Sequence, residues 1–252
     1  FSFTCMFFHG SLFVSALFFW GMLQGAIAFP EQFFFFSGSL LFAAFWISKK
    51  LGGSFEGTVL PTLFTFSVLL LFFFVSLPQQ KQIFTFLSSG VFYLSLLGIY
   101  RRRSYGKDET ARGILSLVSM TTLFFFLSGI YGLFLNFQFF SEPFLMLSSA
   151  GSVFLVGRNI FLQYFRNSPE KARFFAFFLA LFSGEMAWVS SFWPFGYLTV
   201  GAVSLLFLSV LWDTLLLSLQ RTITLRRLLV QLSVLVLFLG LVLSSSIWRP
   251  VV

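Results

Sequence analysis

The chain contains YLTVGAVSLLFLSVLWDTLLLSL at Tyr197–Leu219 and LLVQLSVLVLFLGLVLSSSI at 228–247, and these two runs decide its fold class. Both runs are apolar on every side, so neither shows the apolar–polar alternation of a barrel strand. Hydrocarbon offers the backbone no hydrogen bonds, so only helices and closed barrels span it, and a helix needs about 20 residues to do so. The runs therefore predict two transmembrane helices.

The same pattern covers the rest of the chain and predicts an all-α, polytopic transmembrane helix bundle of about nine helices. The predicted helices are 11–29, 33–48, 58–77, 83–100, 114–135, 144–165, 174–193, 197–219 and 228–247. Eight helices is the alternative, because no Lys or Arg flanks the first run, which could lie in the interface instead. Nine spans take roughly 180 residues. We therefore expect residues 1–252 to form a single integral membrane domain.

The composition excludes an ordinary soluble domain. Charged residues make up 10% of the chain, against roughly a quarter in soluble domains. The 43 Phe residues fit lipid-facing positions, and the net charge of +8 comes from cations in short loops, so nucleic acid is not an expected partner. One Cys and one His allow no intrachain disulfide and no zinc motif. We expect no metal and no cofactor.

The cations predict the orientation of the helices. Thirteen of the sixteen Lys and Arg residues fall in the loops after helices two, four, six and eight, whereas the other four loops hold only Lys81. Cytoplasmic loops are enriched in Lys and Arg. We therefore expect an integral protein of the bacterial cytoplasmic membrane, the cell inner membrane, with a cytoplasmic N-terminus and the C-terminus outside.

Glu185 is the deepest ionisable residue of the predicted bundle. It lies near the middle of helix seven, and Trp188 shares its helix face at i+3. Such residues are costly in lipid and usually face protein or water. Two roles stay open for Glu185: an interhelical hydrogen bond, or a proton or solute site.

Three further polar candidates lie nearer the predicted cytoplasmic ends of two helices. Arg158 and Asn159 lie in helix six, and Asp213 lies in helix eight at a matching depth. We expect Arg158 and Asp213 to form an ion pair. The alternatives for Arg158 are snorkelling to the headgroups and a substrate contact.

Two other features are interpreted as structural. Ser148, Gly151 and Ser152 predict a face on which another helix packs closely. The segment RRRSYGKDETARG predicts a solvated connector whose Arg101, Arg102 and Arg103 could bind anionic lipid. No phosphate-binding loop or H-E-x-x-H motif occurs, and no catalytic residues are predicted.

Part of the sequence resembles a family of multi-spanning bacterial membrane proteins of unknown function. The matching residues are Gly184-Glu185-Met186-Ala187-Trp188, Pro194 and Trp248-Arg249-Pro250. This resemblance implies a membrane location and assigns no activity.

Three classes of function follow from these observations. The scarcity of polar residues favours a non-catalytic membrane scaffold or assembly subunit, with other membrane subunits and the lipid bilayer as partners. A small-solute or lipid transporter using Glu185, Arg158 and Asp213 is the first alternative. A membrane enzyme acting on lipid-linked substrates is the second, although the sequence favours a protein that is not an enzyme.

Overall fold

The protein consists of α-helices joined by short connections. A computed structural model describes residues 3–53, 55–105, 108–137, 139–165, 168–219 and 224–245. Its helices are α1 (Phe3–Ala28), α2 (Phe33–Gly52), α3 (Phe55–Phe72), α4 (Pro78–Tyr105), α5 (Glu109–Asn136), α6 (Glu142–Tyr164), α7 (Pro169–Ser191), α8 (Tyr197–Leu219) and α9 (Leu225–Ser245). A 3₁₀ turn, Pro30–Gln32, separates α1 from α2.

All nine helices of the described ranges are long and apolar enough to cross a membrane. The described residues contain no strand. The prediction of an all-α polytopic bundle is therefore confirmed. The first apolar run supplies a membrane-length segment, His9–Ala28, in agreement with the predicted count of nine helices.

The helix ends differ from the predicted ones because polar residues continue the helices beyond the apolar runs. α4 and α7 begin at Pro78 and Pro169, five residues before their predicted starts. Proline is favoured in the first turn, where its missing N–H has no helical partner. At its other end α4 includes Arg102 and Arg103 in its last turn. By contrast, α3 ends five residues early, at Phe72.

The chain divides into two compact units, Phe1–Thr122 and Leu123–Val252, and the boundary falls within α5. In the first unit α1 packs on α4, and α2 packs on α3. Its core holds Phe19, whose ring stacks on Phe92 with centroids 4.4 Å apart and on Phe64 at 6.4 Å. That the whole chain forms one membrane domain stays a prediction.

A polar contact joins α1 to α4 in the first unit. The side-chain amide of Gln24 donates to the Gln82 oxygen at 2.6 Å, and the Gln82 amide donates back to Gln24 at 3.1 Å. The Gln24 amide also reaches the Thr85 hydroxyl at 3.3 Å. Reciprocal amide bonds satisfy side chains that hydrocarbon would leave without partners.

In the second unit α6 packs on α7, α7 on α8, and α8 on α9. The buried Tyr131 of α5 donates its hydroxyl to the Ser190 carbonyl of α7 at 2.7 Å. A Cβ built on Gly201 of α8 would overlap the Ser128 hydroxyl of α5. These contacts join α5 to both α7 and α8, and a side chain at position 201 would force Ser128 to shift.

Candidate functional site

The polar candidates of the second unit are positioned by a close contact between α6 and α7. The buried residues of α7 are mostly small: Ala172, Ala176, Ala180, Ser183, Gly184, Ala187 and Ser190. A Cβ built on Gly157 would lie 3.6 Å from the Ala176 Cα, and one on Gly184 would lie 3.5 Å from the Met146 carbonyl oxygen. Small residues permit such an approach of two helices. We call this contact the α6–α7 seam.

The predicted packing face of α6 is partly wrong. Of its three residues only Ser152 is buried; Ser148 is half-buried and Gly151 is exposed. The α6 residues that contact α7 across the seam include Ala150 and Gly157, which lie seven positions apart and therefore on one helix face. Residues that share a helix face recur every three or four positions. A row of small residues in sequence therefore does not by itself locate the contact within one turn.

Glu185 lies on the side of α7 that faces away from the seam. Its neighbour Gly184 is buried against α6, and the helical rotation between consecutive residues turns the Glu185 side chain outward. Glu185 is exposed, and so are the residues that share its face. These residues are Phe174, Phe178, Leu181, Trp188 and Phe192. We call this set, with Glu185, the outer face of α7.

Glu185 is less central than the sequence indicated. Because α7 begins at Pro169, its midpoint is near Ala180, and Glu185 lies roughly 7 Å past that point at 1.5 Å per residue. The half-thickness of the hydrocarbon core is about 15 Å. In a helix centred in the bilayer, Glu185 would still lie in hydrocarbon.

Trp188 is 47% exposed and packs edge-on against Phe192, with ring centroids 5.8 Å apart. Among the described residues, no hydrogen bond or ion pair involves the Glu185 carboxyl group or the Trp188 indole nitrogen. The outer face of α7 therefore carries an acid and an indole N–H, both able to hydrogen-bond a group from outside the described chain.

Arg158 and Asn159 are half-buried on α6. Gly157 is level with Ala176 of α7, which places Glu185 about 13 Å farther along the α7 axis. A direct ion pair needs N and O atoms within about 4 Å. Arg158 and Glu185 therefore belong to different depths of the unit and do not form one site.

The structure places Arg158 and Asp213 at similar depth but does not join them. Trp212 is 2% exposed and stacks on Phe161, one turn from Arg158, with ring centroids 5.3 Å apart. Asp213, the next residue along α8, is exposed. Within the described ranges no salt bridge links Arg158 to Asp213. The ion pair expected from sequence is therefore not formed, because adjacent helical residues point in different directions.

The described residues of the basic segment, at the end of α4 and the start of α5, are more structured than a solvated connector. Arg101 forms an ion pair with Asp108 at 2.7 Å, and the Asp108 carboxylate accepts the Thr110 N–H at 2.9 Å. Asp108 thus caps the start of α5. Desolvation opposes ionisation, but bonds from Arg101 and from backbone N–H groups outweigh it, so the pKa of Asp108 lies below its usual 3.8.

Arg103 of α4 hydrogen-bonds to carbonyl groups at the C-terminal end of α2. Its guanidinium donates to the Leu51 carbonyl at 2.8 Å and to the Lys50 carbonyl at 3.3 Å. Gly53 adopts φ 65° there, the left-handed conformation that ends many helices. Arg101 and Arg103 thus have protein partners, and binding of anionic lipid at Arg101, Arg102 and Arg103 stays a prediction.

Sequence reasoning missed the contacts of Gln24, Gln82 and Tyr131. The apolar pattern places Gln24 inside a hydrophobic run and Gln82 in a turn, and neither position suggests a partner. The presence of Gln within a membrane-length helix was the available signal.

In the described part of the chain, no three His, Cys, Asp or Glu residues lie close enough together to hold a metal ion.

Comparison with protein families, with characterised proteins and with solved structures finds no match to this chain. The resemblance noted in the sequence therefore stays a prediction.

Proposed function

We propose that this chain is a non-catalytic scaffold or assembly subunit of a membrane complex, and that the outer face of α7 binds a membrane-spanning helix of another protein. The observation that supports this proposal is the exposed Glu185, on a helix whose neighbouring exposed side chains are aromatic or aliphatic. We further propose that the complex lies in the bacterial cytoplasmic membrane, with the cationic loops on the cytoplasmic side.

The free energy of a lipid-facing carboxyl group supports a protein partner. Ionised side chains near the centre of a membrane helix cost about 3 kcal/mol on insertion scales. A hydrogen-bond donor on a neighbouring helix would offset this cost, whether Glu185 is ionised or neutral. A partner helix carrying Lys, Arg, Asn, Gln or Ser at the depth of Glu185 would meet this requirement.

The composition of the outer face supports the same proposal. Trp is enriched among the residues that dominate binding energy at interfaces. Trp188 lies one turn from Glu185 and projects a large apolar surface with a polar N–H. An acid beside a large aromatic ring provides both specificity and contact area for a helix in lipid.

The separation of the polar residues gives less support to the two alternatives, a transporter and a membrane enzyme. A transporter site would need Glu185, Arg158 and Asp213 around one cavity. Glu185 lies about 13 Å along the helix axis from the level of Gly157, the residue before Arg158, and small residues line the contact between the two helices. An enzyme for lipid-linked substrates would need a similar convergence of polar groups.

Site-specific photocrosslinking in native membranes tests the proposal. A photoreactive residue at Trp188 should give a discrete protein adduct, whereas one at Leu147, an exposed position on α6, should give mostly lipid adducts. Glu185→Leu should reduce the Trp188 adduct several-fold, and Glu185→Gln should retain most of it, because Gln still hydrogen-bonds. Only lipid adducts at Trp188, or an adduct unaffected by Glu185→Leu, would contradict the proposal.

A further inference from the structure

A groove opens where the end of α8 meets the start of α9. Its volume is about 520 Å³, and its lining residues are Leu217, Thr224, Arg226, Arg227, Val230 and Gln231. Nearby, the Thr214 hydroxyl of α8 lies 3.4 Å from the Gln231 side-chain oxygen of α9. Both helices are long and apolar enough to cross a membrane, so in a bilayer this groove would lie near one interface.

The positive charge beside the groove is unusual because it lies at the N-terminal end of α9. The first turn of α9 contains Arg226 and Arg227 and no acidic residue. The N-terminus of a helix carries a partial positive charge, so cations are unfavourable there and anions are favourable. None of the described residues that line the groove carries a carboxylate. An anion bound between the two guanidinium groups would offset this concentration of positive charge.

An apolar strip continues from the groove along α9. Val230, Val234, Leu237 and Leu241 recur at helical spacing below Arg226, and all four are exposed. No described residue of α9 is buried. The groove thus joins a cationic end at the interface to an apolar surface that extends towards the membrane interior, which matches the two parts of a phospholipid.

We propose that this groove binds one anionic phospholipid. The headgroup phosphate lies between Arg226 and Arg227, and an acyl chain lies along Val230, Val234 and Leu237. Guanidinium groups bind phosphate through paired N–H donors. The proposal is independent of the outer face of α7, because the two surfaces lie on different helices.

Native mass spectrometry of the purified full chain tests the site. With phosphatidylglycerol we expect one lipid to remain bound, and with phosphatidylcholine none. The double variant Arg226→Gln/Arg227→Gln should bind phosphatidylglycerol at least roughly ten-fold more weakly, since cations near a membrane surface each strengthen binding to anionic lipid. A variant with the same loss of charge, Lys171→Gln/Arg173→Gln, should bind as the original chain does.

Two further measurements distinguish a defined lipid site from diffuse charge attraction and from a site for free phosphate. Val230→Trp fills the groove and keeps both cations, and it should also weaken lipid binding. Millimolar inorganic phosphate should leave the lipid bound, because the acyl chain contributes to affinity. Equal losses in the two charge variants would overturn the proposal in favour of diffuse attraction. Unchanged binding in Val230→Trp, or displacement by phosphate alone, would also overturn it.

Discussion

Individual polar residues in this protein have roles set by the direction of their side chains. Glu185 and Gly184 are adjacent, yet one is exposed and the other is buried against α6. Trp212 and Asp213 show the same contrast on α8. In a helix of 3.6 residues per turn, consecutive side chains point about 100° apart. A residue-level role therefore depends on which face the neighbouring helix covers.

Asp108 gives a prediction at the residue scale. Its pKa is lower in the folded chain than the usual 3.8, so the carboxylate contributes stability above that pH and loses it as the pH falls through the lower, folded-state value. Asp108→Asn keeps a capping oxygen but removes the charge. The thermal midpoint of the original chain should therefore fall more steeply below pH 3.8 than that of the variant.

Differential scanning fluorimetry in detergent between neutral pH and acid measures this difference. Arg101→Gln serves as the matched control, because it removes the cation of the same pair. The two variants should lose similar amounts of stability at neutral pH. Parallel acid profiles for Asp108→Asn and the original chain would contradict the role assigned to this pair.

The helices pack through two kinds of contact. In the first unit α1 and α4 meet through stacked rings and the Gln24–Gln82 amide pair. In the second unit α6 and α7 meet through small residues along the α6–α7 seam. Lipid is as apolar as the side chains, so close packing and hydrogen bonds must drive helix association.

At the scale of the helix, substitutions at two glycines of α6 test whether close packing at the seam stabilises the fold. Gly157 faces Ala176 across the seam, whereas a Cβ built on Gly151 meets nothing within 4 Å. Gly157→Leu should lower the free energy of unfolding by about 1–3 kcal/mol through overpacking. Gly151→Leu, the matched control, should change it by less than about 0.5 kcal/mol.

Unfolding in mixed micelles of increasing denaturing detergent measures both variants. Gly157→Ala provides a graded comparison, since its Cβ would make an ordinary contact at 3.6 Å. It should therefore be tolerated. Equal destabilisation by leucine at the two glycines would show that the seam does not carry the packing energy assigned to it.

Most of the fold class was predictable at the scale of the whole chain, and the candidate site was not. Apolar runs predicted all nine helices of the described ranges, because hydrophobic length is a local property of the sequence. The direction of Glu185, the separation of Arg158 from Glu185 and the unformed Arg158–Asp213 pair depend on helix rotation and axial shift. These quantities are set by side chains far apart in sequence.

At the scale of the whole molecule, we predict which side of the membrane each connection between helices faces. Ser141 and Ser168 lie on either side of α6, which spans the membrane-length segment Glu142–Tyr164. In a chain with Cys5→Ser, a membrane-impermeant maleimide should label Ser141→Cys in intact cells and label Ser168→Cys only after lysis. The reverse pattern would contradict the orientation assigned from the cations.

The sequence alone determined that this chain is a bundle of membrane-length helices, and it located the cations at alternate connections. These properties follow from the composition of about 20 consecutive residues, because an apolar segment of that length can cross the hydrocarbon only with its backbone hydrogen-bonded internally. Only the tertiary structure decided that Glu185 faces outward, that Arg103 closes α2, and that Arg226 and Arg227 border a groove. Each of these depends on how one helix is rotated against another, and that rotation is fixed by packing between residues distant in the chain.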